Sequence, residues 1–125
     1  MKYTIPIFCF LLLLSCSKEE PNLPPGLFTI KIPIISNERA LINWTEAIDP
    51  EGEIVTYSFF IDAIGHTTRV NDRLEGGSRT IMGLDPSTTY NGFIEASDEN
   101  TGVRKVNFCF TTPLSGTLEG EFNDC

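Results

Sequence analysis

Acidic side chains dominate the residues whose types and spacing could do chemistry. Asp49, Glu51 and Glu53 fall at alternate positions in Asp49-Pro50-Glu51-Gly52-Glu53, and Asp98 and Glu99 stand together further on. Calcium takes several converging oxygen ligands, so these five carboxylates would suit a cation site if the fold brought them to one pole. The bland reading stays open beside it: Asp-Pro-Glu-Gly is a good turn sequence by itself and falls short of the Asp-x-Asp-x-Asp-Gly pattern. A glycosidase would need two carboxylates about 5 to 10 Å apart across a cleft, and a small domain without a concave face offers none. His66 has no second histidine, no Gly-x-Ser-x-Gly and no suitably placed reactive cysteine around it, so it is expected at the surface. Gly76-Gly77 lacks the following Lys-Ser or Lys-Thr of a phosphate loop. The sequence therefore predicts no enzyme, no catalytic residue and no cofactor beyond calcium at the acidic loops.

A second reactive position is Cys16, which closes Leu13-Leu14-Ser15-Cys16 after the apolar stretch Ile5 to Leu14. With Lys2 before it, that stretch has the about 7 to 15 apolar residues of a secretory h-region and is too short to span a bilayer. A small Ser15 suits a peptidase cut, and a thiolate is nucleophilic enough to take a diacylglyceryl group as a thioether. An ordinary secretory signal with an incidental cysteine would also fit these residues. The pattern resembles the lipobox of bacterial lipoproteins. That resemblance implies a signal peptide over 1–15 that is removed, acylation of Cys16, and a tether over 16–25 that turns abruptly polar at Ser17-Lys18-Glu19-Glu20 and then proline-rich. Each buried CH2 of an acyl chain contributes ~0.8 kcal/mol, so two or three palmitate-length chains would hold the domain at a membrane. Lys18-Glu19-Glu20 resembles the surface-export signals of some Gram-negative lipoproteins, which implies the outer membrane, with exposure at the cell surface.

Removing residues 1–15 from the 125 leaves 110 residues, enough for one domain with a modest core. The formal charge moves from −8 to −9 when Lys2 leaves, which excludes a nucleic-acid partner because phosphate binding needs a basic stripe. Two further cysteines remain, Cys109 and Cys125. One bridge between them would close a loop of ~15 residues worth ~3 kcal/mol; two unpaired thiols are the alternative.

From Phe28 onward the apolar residues recur with period two, and no segment shows a capped helical period. Strands are expected at Phe28–Ile34, Ala40–Trp44, Val55–Ile61, His66–Val70, Arg79–Met82, Tyr90–Ala96 and Val106–Phe110. Asn71–Ser78 is expected to be a mobile loop, and Asp98–Gly102 a hairpin loop. Pro33 predicts an edge or a bulge in the first strand. Seven strands make an all-β, seven-stranded antiparallel β-sandwich, with Phe28, Trp44, Tyr57, Phe59, Phe108 and Phe110 filling the gap. Phe60 and Phe93 take the outward register, where they could meet a partner or a sugar ring.

Trp44, Tyr57 and Leu84-Asp85-Pro86-Ser87-Thr88-Thr89-Tyr90, with small Ala96 and the closing Phe110-Thr111-Thr112, together resemble an immunoglobulin-like domain of the fibronectin type III family. The resemblance implies a tyrosine corner, in which the Tyr90 hydroxyl bonds backbone upstream. It covers the domain expected over 26–113 and leaves 114–125 as a tail that either adds an edge strand through Thr117-Leu118-Glu119 or hangs loose. The function expected is a membrane-anchored, non-catalytic cell-envelope module that binds or displays, with a protein or glycan ligand. A structural spacer in a larger envelope or polysaccharide-uptake complex is the alternative.

Overall fold

The structure, a computed structural model, describes residues 16, 18–63, 66–74 and 77–123, with side chains outside 63–76. The expected leader over 1–15, the His66 side chain and Cys125 lie outside the described residues.

Period-two burial organises the chain into two antiparallel sheets. The first has β1 (Ile30–Ser36), β2 (Arg39–Trp44), β5 (Ser78–Met82) and β8 (Thr117–Glu119) in the order β5-β2-β1-β8. The second has β3 (Thr56–Ala63), β4 (His66–Leu74), β6 (Thr89–Ser97) and β7 (Val103–Thr111) in the order β4-β3-β6-β7. Their inner faces bury Ile32, Ile35 and Ile42 against Tyr57, Phe59, Ile94 and Phe110. Aromatic rings knit this layer: Tyr57 meets Phe28 edge-on at 5.8 Å, and Phe59 stacks on Phe108 at 5.2 Å.

Three local outcomes differ from the simple alternation. At Pro33 the β1–β2 register shifts between Lys31 and Ile34, because proline cannot donate to the ladder. The bulge turns the inward phase from Ile30 and Ile32 to Ile35, leaving Ile34 half-buried. Asn71–Leu74, expected in a loop, instead continue β4, with Leu74 opposite Tyr57. Pairing of the free β3 edge outweighs the low strand propensity of Asn and Asp.

The tail joins the fold as an eighth strand. After β8 pairs with β1, the Gly120 and Phe122 N–H groups donate to Pro33 O and Ile32 O at 2.9 and 3.2 Å. Glu121 pairs with Lys31 at 2.6 Å, and Phe122 packs against the core. The Cys109 N–H on β7 donates to Asn123 Oδ1 at 3.1 Å, so the tail bridges from the first sheet to the edge of the second. Cys109 is disulfide-bonded. Cys125, its expected partner, lies outside the described residues.

Candidate functional site: an acidic pole and an aromatic face

The β2–β3 loop is shaped by its own residue types. Asp49 Oδ1 accepts from the Glu51 and Glu53 N–H groups at 2.9 and 3.2 Å, the Asx turn that a short carboxylate favours. Gly52 donates to Asp49 O at 3.1 Å and adopts φ +81°, a left-handed conformation that glycine takes without penalty. The Ala47 N–H donates to the buried Tyr57 hydroxyl at 2.7 Å, fastening the loop to β3. In the β6–β7 loop, Asp98 repeats the device, with Oδ1 accepting from Asn100 N at 2.8 Å and Gly102 N at 2.7 Å.

The two loops meet. One carboxylate oxygen each from Asp49, Glu53 and Asp98 lies within 4.8 Å of the others. Asp49 is only 5% exposed, and its second oxygen, Oδ2, is buried without a hydrogen-bond partner. Glu53 accepts from the Asn100 side-chain amide through Oε1, while its Oε2 is likewise buried and unpartnered. Among the described residues no lysine or arginine forms an ion pair with any of the three. Burial, followed by the charges of Asp98, Asp49, Glu99 and Glu51, holds the Glu53 carboxyl above its ordinary value. Burial also works against the charge on Asp98, but hydrogen bonds from the Asn22 side chain and the Gly102 and Asn100 N–H groups outweigh it and lower that carboxyl. Of the five acids singled out in the sequence, three converge. Glu99 and Glu51 stay outside the trio, near enough to act on Glu53 through charge.

Sequence reasoning missed the N-terminal segment's part in this pole. Asn22 Nδ2 donates to Asp98 Oδ2 at 3.0 Å and to Asn100 O at 3.3 Å, and the Leu23 N–H donates to Glu51 Oε1. Gly26 N–H donates to Ile48 O at 2.9 Å, and Arg104 Nε to Pro25 O at 3.0 Å. Gly102 makes the contact feasible, since a Cβ there would overlap Asp98 Oδ2 and crowd Asn22. Residues 22–26, expected in part as a free tether, are therefore docked on the sandwich. Nothing in a short proline-rich run signals which loop it will meet. Cys16, at the head of this segment, is exposed and carries a free thiol.

On the outer face of the second sheet, Phe60 and Phe93 stack at 4.4 Å, as their outward register implies. Lys105 Nζ sits 3.7 Å over the Phe93 ring, within cation–π range. A groove of about 640 Å³ runs past the pair and is edged by Asp62, Asn91 and Asn107. These polar neighbours share the parity of Phe60 and Phe93 across the ladder, a signal present in the sequence but unused.

No protein-family model matches the chain, and no curated protein matches it at a significant level. Solved structures do share its fold. The twitchin kinase region from C. elegans, which includes a fibronectin domain, superposes with a TM-score of 0.56 at 16% identity over 76% of this chain. This chain spans only 17% of that fragment. A myokine structure gives 0.54 at 13% identity, over 74% of this chain and 99% of the other. The PKD domain of an M14-like peptidase from a Thermoplasmatales archaeon gives 0.52 at 20% identity, again over 74% and 99%. With the sheet orders and the Tyr90 hydroxyl accepting from Asp85 N–H at 2.8 Å, these define a fibronectin type III-like β-sandwich.

Proposed function

We propose that this chain is a lipid-anchored, non-catalytic module of a bacterial envelope that presents the outer face of its second sheet to a glycan. The observation that carries the reading is the stacked Phe60–Phe93 pair beside a groove edged by Asp62, Asn91 and Asn107. An aromatic face accepts the C–H side of a sugar ring, while carboxylate and amide groups bond its hydroxyls. Acylation of Cys16 is the second part of the proposal. Five residues lie between Cys16 and the docked Asn22, so the six residue steps reach about 20 Å at most. An anchor there would hold the acidic pole near the lipid surface, leaving the sheet face and the far pole for contact. Signal cleavage after Ser15, outer-membrane residence and surface exposure belong to the same proposal.

Two measurements test it. Labelled palmitate should enter the protein in its host, and intact-cell protease shaving should release domain peptides; absence of label refutes the anchor. On a glycan array the soluble domain should bind, and Phe60→Ala with Phe93→Ala should abolish binding; unchanged binding refutes the face.

The spacer reading is favoured by a different observation. Leu27, Ile48 and Ile54 are 82%, 76% and 63% exposed around the acidic pole, apolar surface suited to a fixed partner. A stoichiometric partner in a mild detergent extract, lost on Ile48→Asp and Ile54→Asp, would decide for it.

A further inference from the structure

We propose that Asp49, Glu53 and Asp98 form a calcium site that ties the β2–β3 loop, the β6–β7 loop and the segment leading from Cys16 into one rigid pole. The inference does not depend on lipidation or on a glycan ligand.

The geometry matches the ion. Calcium lies 2.3–2.6 Å from its oxygen ligands, so two oxygens on opposite sides of one ion are about 4.6–5.2 Å apart. The three carboxylate oxygens here, all within 4.8 Å of one another, can reach a common ion without moving the backbone. What distinguishes this trio from an ordinary acidic surface is Asp49. That side chain is 5% exposed, is held rigidly through Oδ1, and leaves Oδ2 buried with no donor. Glu53 Oε2 repeats the pattern beside it. Two buried carboxylate oxygens without a donor or a counter-charge are costly to a fold unless a cation meets them. No lysine or arginine among the described residues does so.

Each acid is already held by hydrogen bonds: Asp49 and Asp98 accept from loop N–H groups, and Glu53 accepts from the Asn100 amide. An ion here would find ligands whose rotamers are set, with water completing the coordination. Calcium is preferred to magnesium because it accepts flexible coordination, whereas magnesium demands near-ideal octahedral geometry at shorter distances. Asn22, bonded to both Asp98 and Asn100, extends the ion's hold to the N-terminal segment.

Trp44 lines the same groove as Asp49 and Glu53, so terbium luminescence excited through tryptophan reports on the site in the intact protein. Terbium should bind, and calcium should displace it with a Kd on the order of 10⁻⁴ to 10⁻³ M, the range of extracellular modules. Saturating calcium should raise the melting temperature by about 5 °C or more, and equal magnesium should not. Glu53→Gln and Asp98→Asn, which preserve shape, should each weaken calcium binding about tenfold or more; circular dichroism checks that both fold. Absence of a thermal shift in about 10 mM calcium, an equal shift with magnesium, or variants that bind as tightly as the parent would each overturn the site.

Discussion

The two ends of this sandwich handle buried polarity in opposite ways. At the far pole, the Tyr90 hydroxyl accepts from Asp85 N–H, while Thr112 Oγ1 accepts from Thr88 N–H at 2.9 Å and donates to Asp85 O at 2.6 Å. Among the described residues no buried side-chain nitrogen or oxygen at that pole lacks a partner. At the acidic pole the Tyr57 hydroxyl performs the same service for Ala47, yet the balance does not close. Among the described residues, the buried side-chain atoms without a partner are Asn43 Oδ1, Trp44 Nε1, Asp49 Oδ2 and Glu53 Oε2, all within eleven consecutive residues. A satisfied pole stabilises the crossing between sheets, whereas an unsatisfied one leaves chemistry available to a ligand.

The contrast can be broken experimentally, and the largest effect belongs to the closed pole. Tyr90→Phe or Thr112→Val should each cost about 1–3 kcal/mol by orphaning buried backbone groups. Thermal melting should fall by roughly 5–15 °C, equally with and without calcium. A loss that calcium repairs would mean the poles are coupled. Next comes Gly102→Ala, whose Cβ meets Asp98 Oδ2 and Asn22. It should cost about 1–3 kcal/mol as an overpacked contact and release residues 22–26 to limited proteolysis. Retained protection would show that the docking does not depend on that approach.

Smaller effects sharpen the difference through pH. The folded chain holds the Glu53 carboxyl above 4.5, so it binds that proton more readily than the unfolded chain does. That contribution is full below about 4.5 and is lost as pH rises through the folded value. Asp98, held below 3.8, works the other way: its contribution is full above 3.8 and is lost as pH falls through its folded value. Calcium-free protein should therefore lose melting temperature as pH rises from about 4.5 through the raised Glu53 value. Glu53→Gln should flatten that slope and leave the variant more stable than the parent at pH 7; an unchanged slope would refute the burial and repulsion on Glu53. Asn22→Ala should be the mildest change, under about 1 kcal/mol because its bonds are exposed. NMR titration should nevertheless show the Asp98 carboxyl rising once that donor is removed.

The outward Phe60 and Phe93 were legible because parity along a strand assigns a side chain to a face before any partner strand is known. Tyr90 was legible because Leu84, Pro86 and Thr88 lead into it at the spacing a tyrosine corner needs. Pro33 was legible as a bulge because proline deletes a ladder donor, but that the bulge would bury Ile35 and leave Ile34 half-buried was not. Asn71–Leu74 looked like a loop because local propensity says nothing about a neighbouring strand's open edge.

By itself the sequence determined the all-β class, the inward and outward registers, and the two loops that carry acids, since each follows from short-range period and turn chemistry. Only the tertiary structure decided that Asp49, Glu53 and Asp98 converge while Glu51 and Glu99 do not, that Asn22 docks on Asp98, and that the tail pairs with β1. Those contacts join residues up to 93 positions apart, as Ile30 and Asn123 show. Their geometry depends on how two sheets stack, and no local pattern along one strand encodes that.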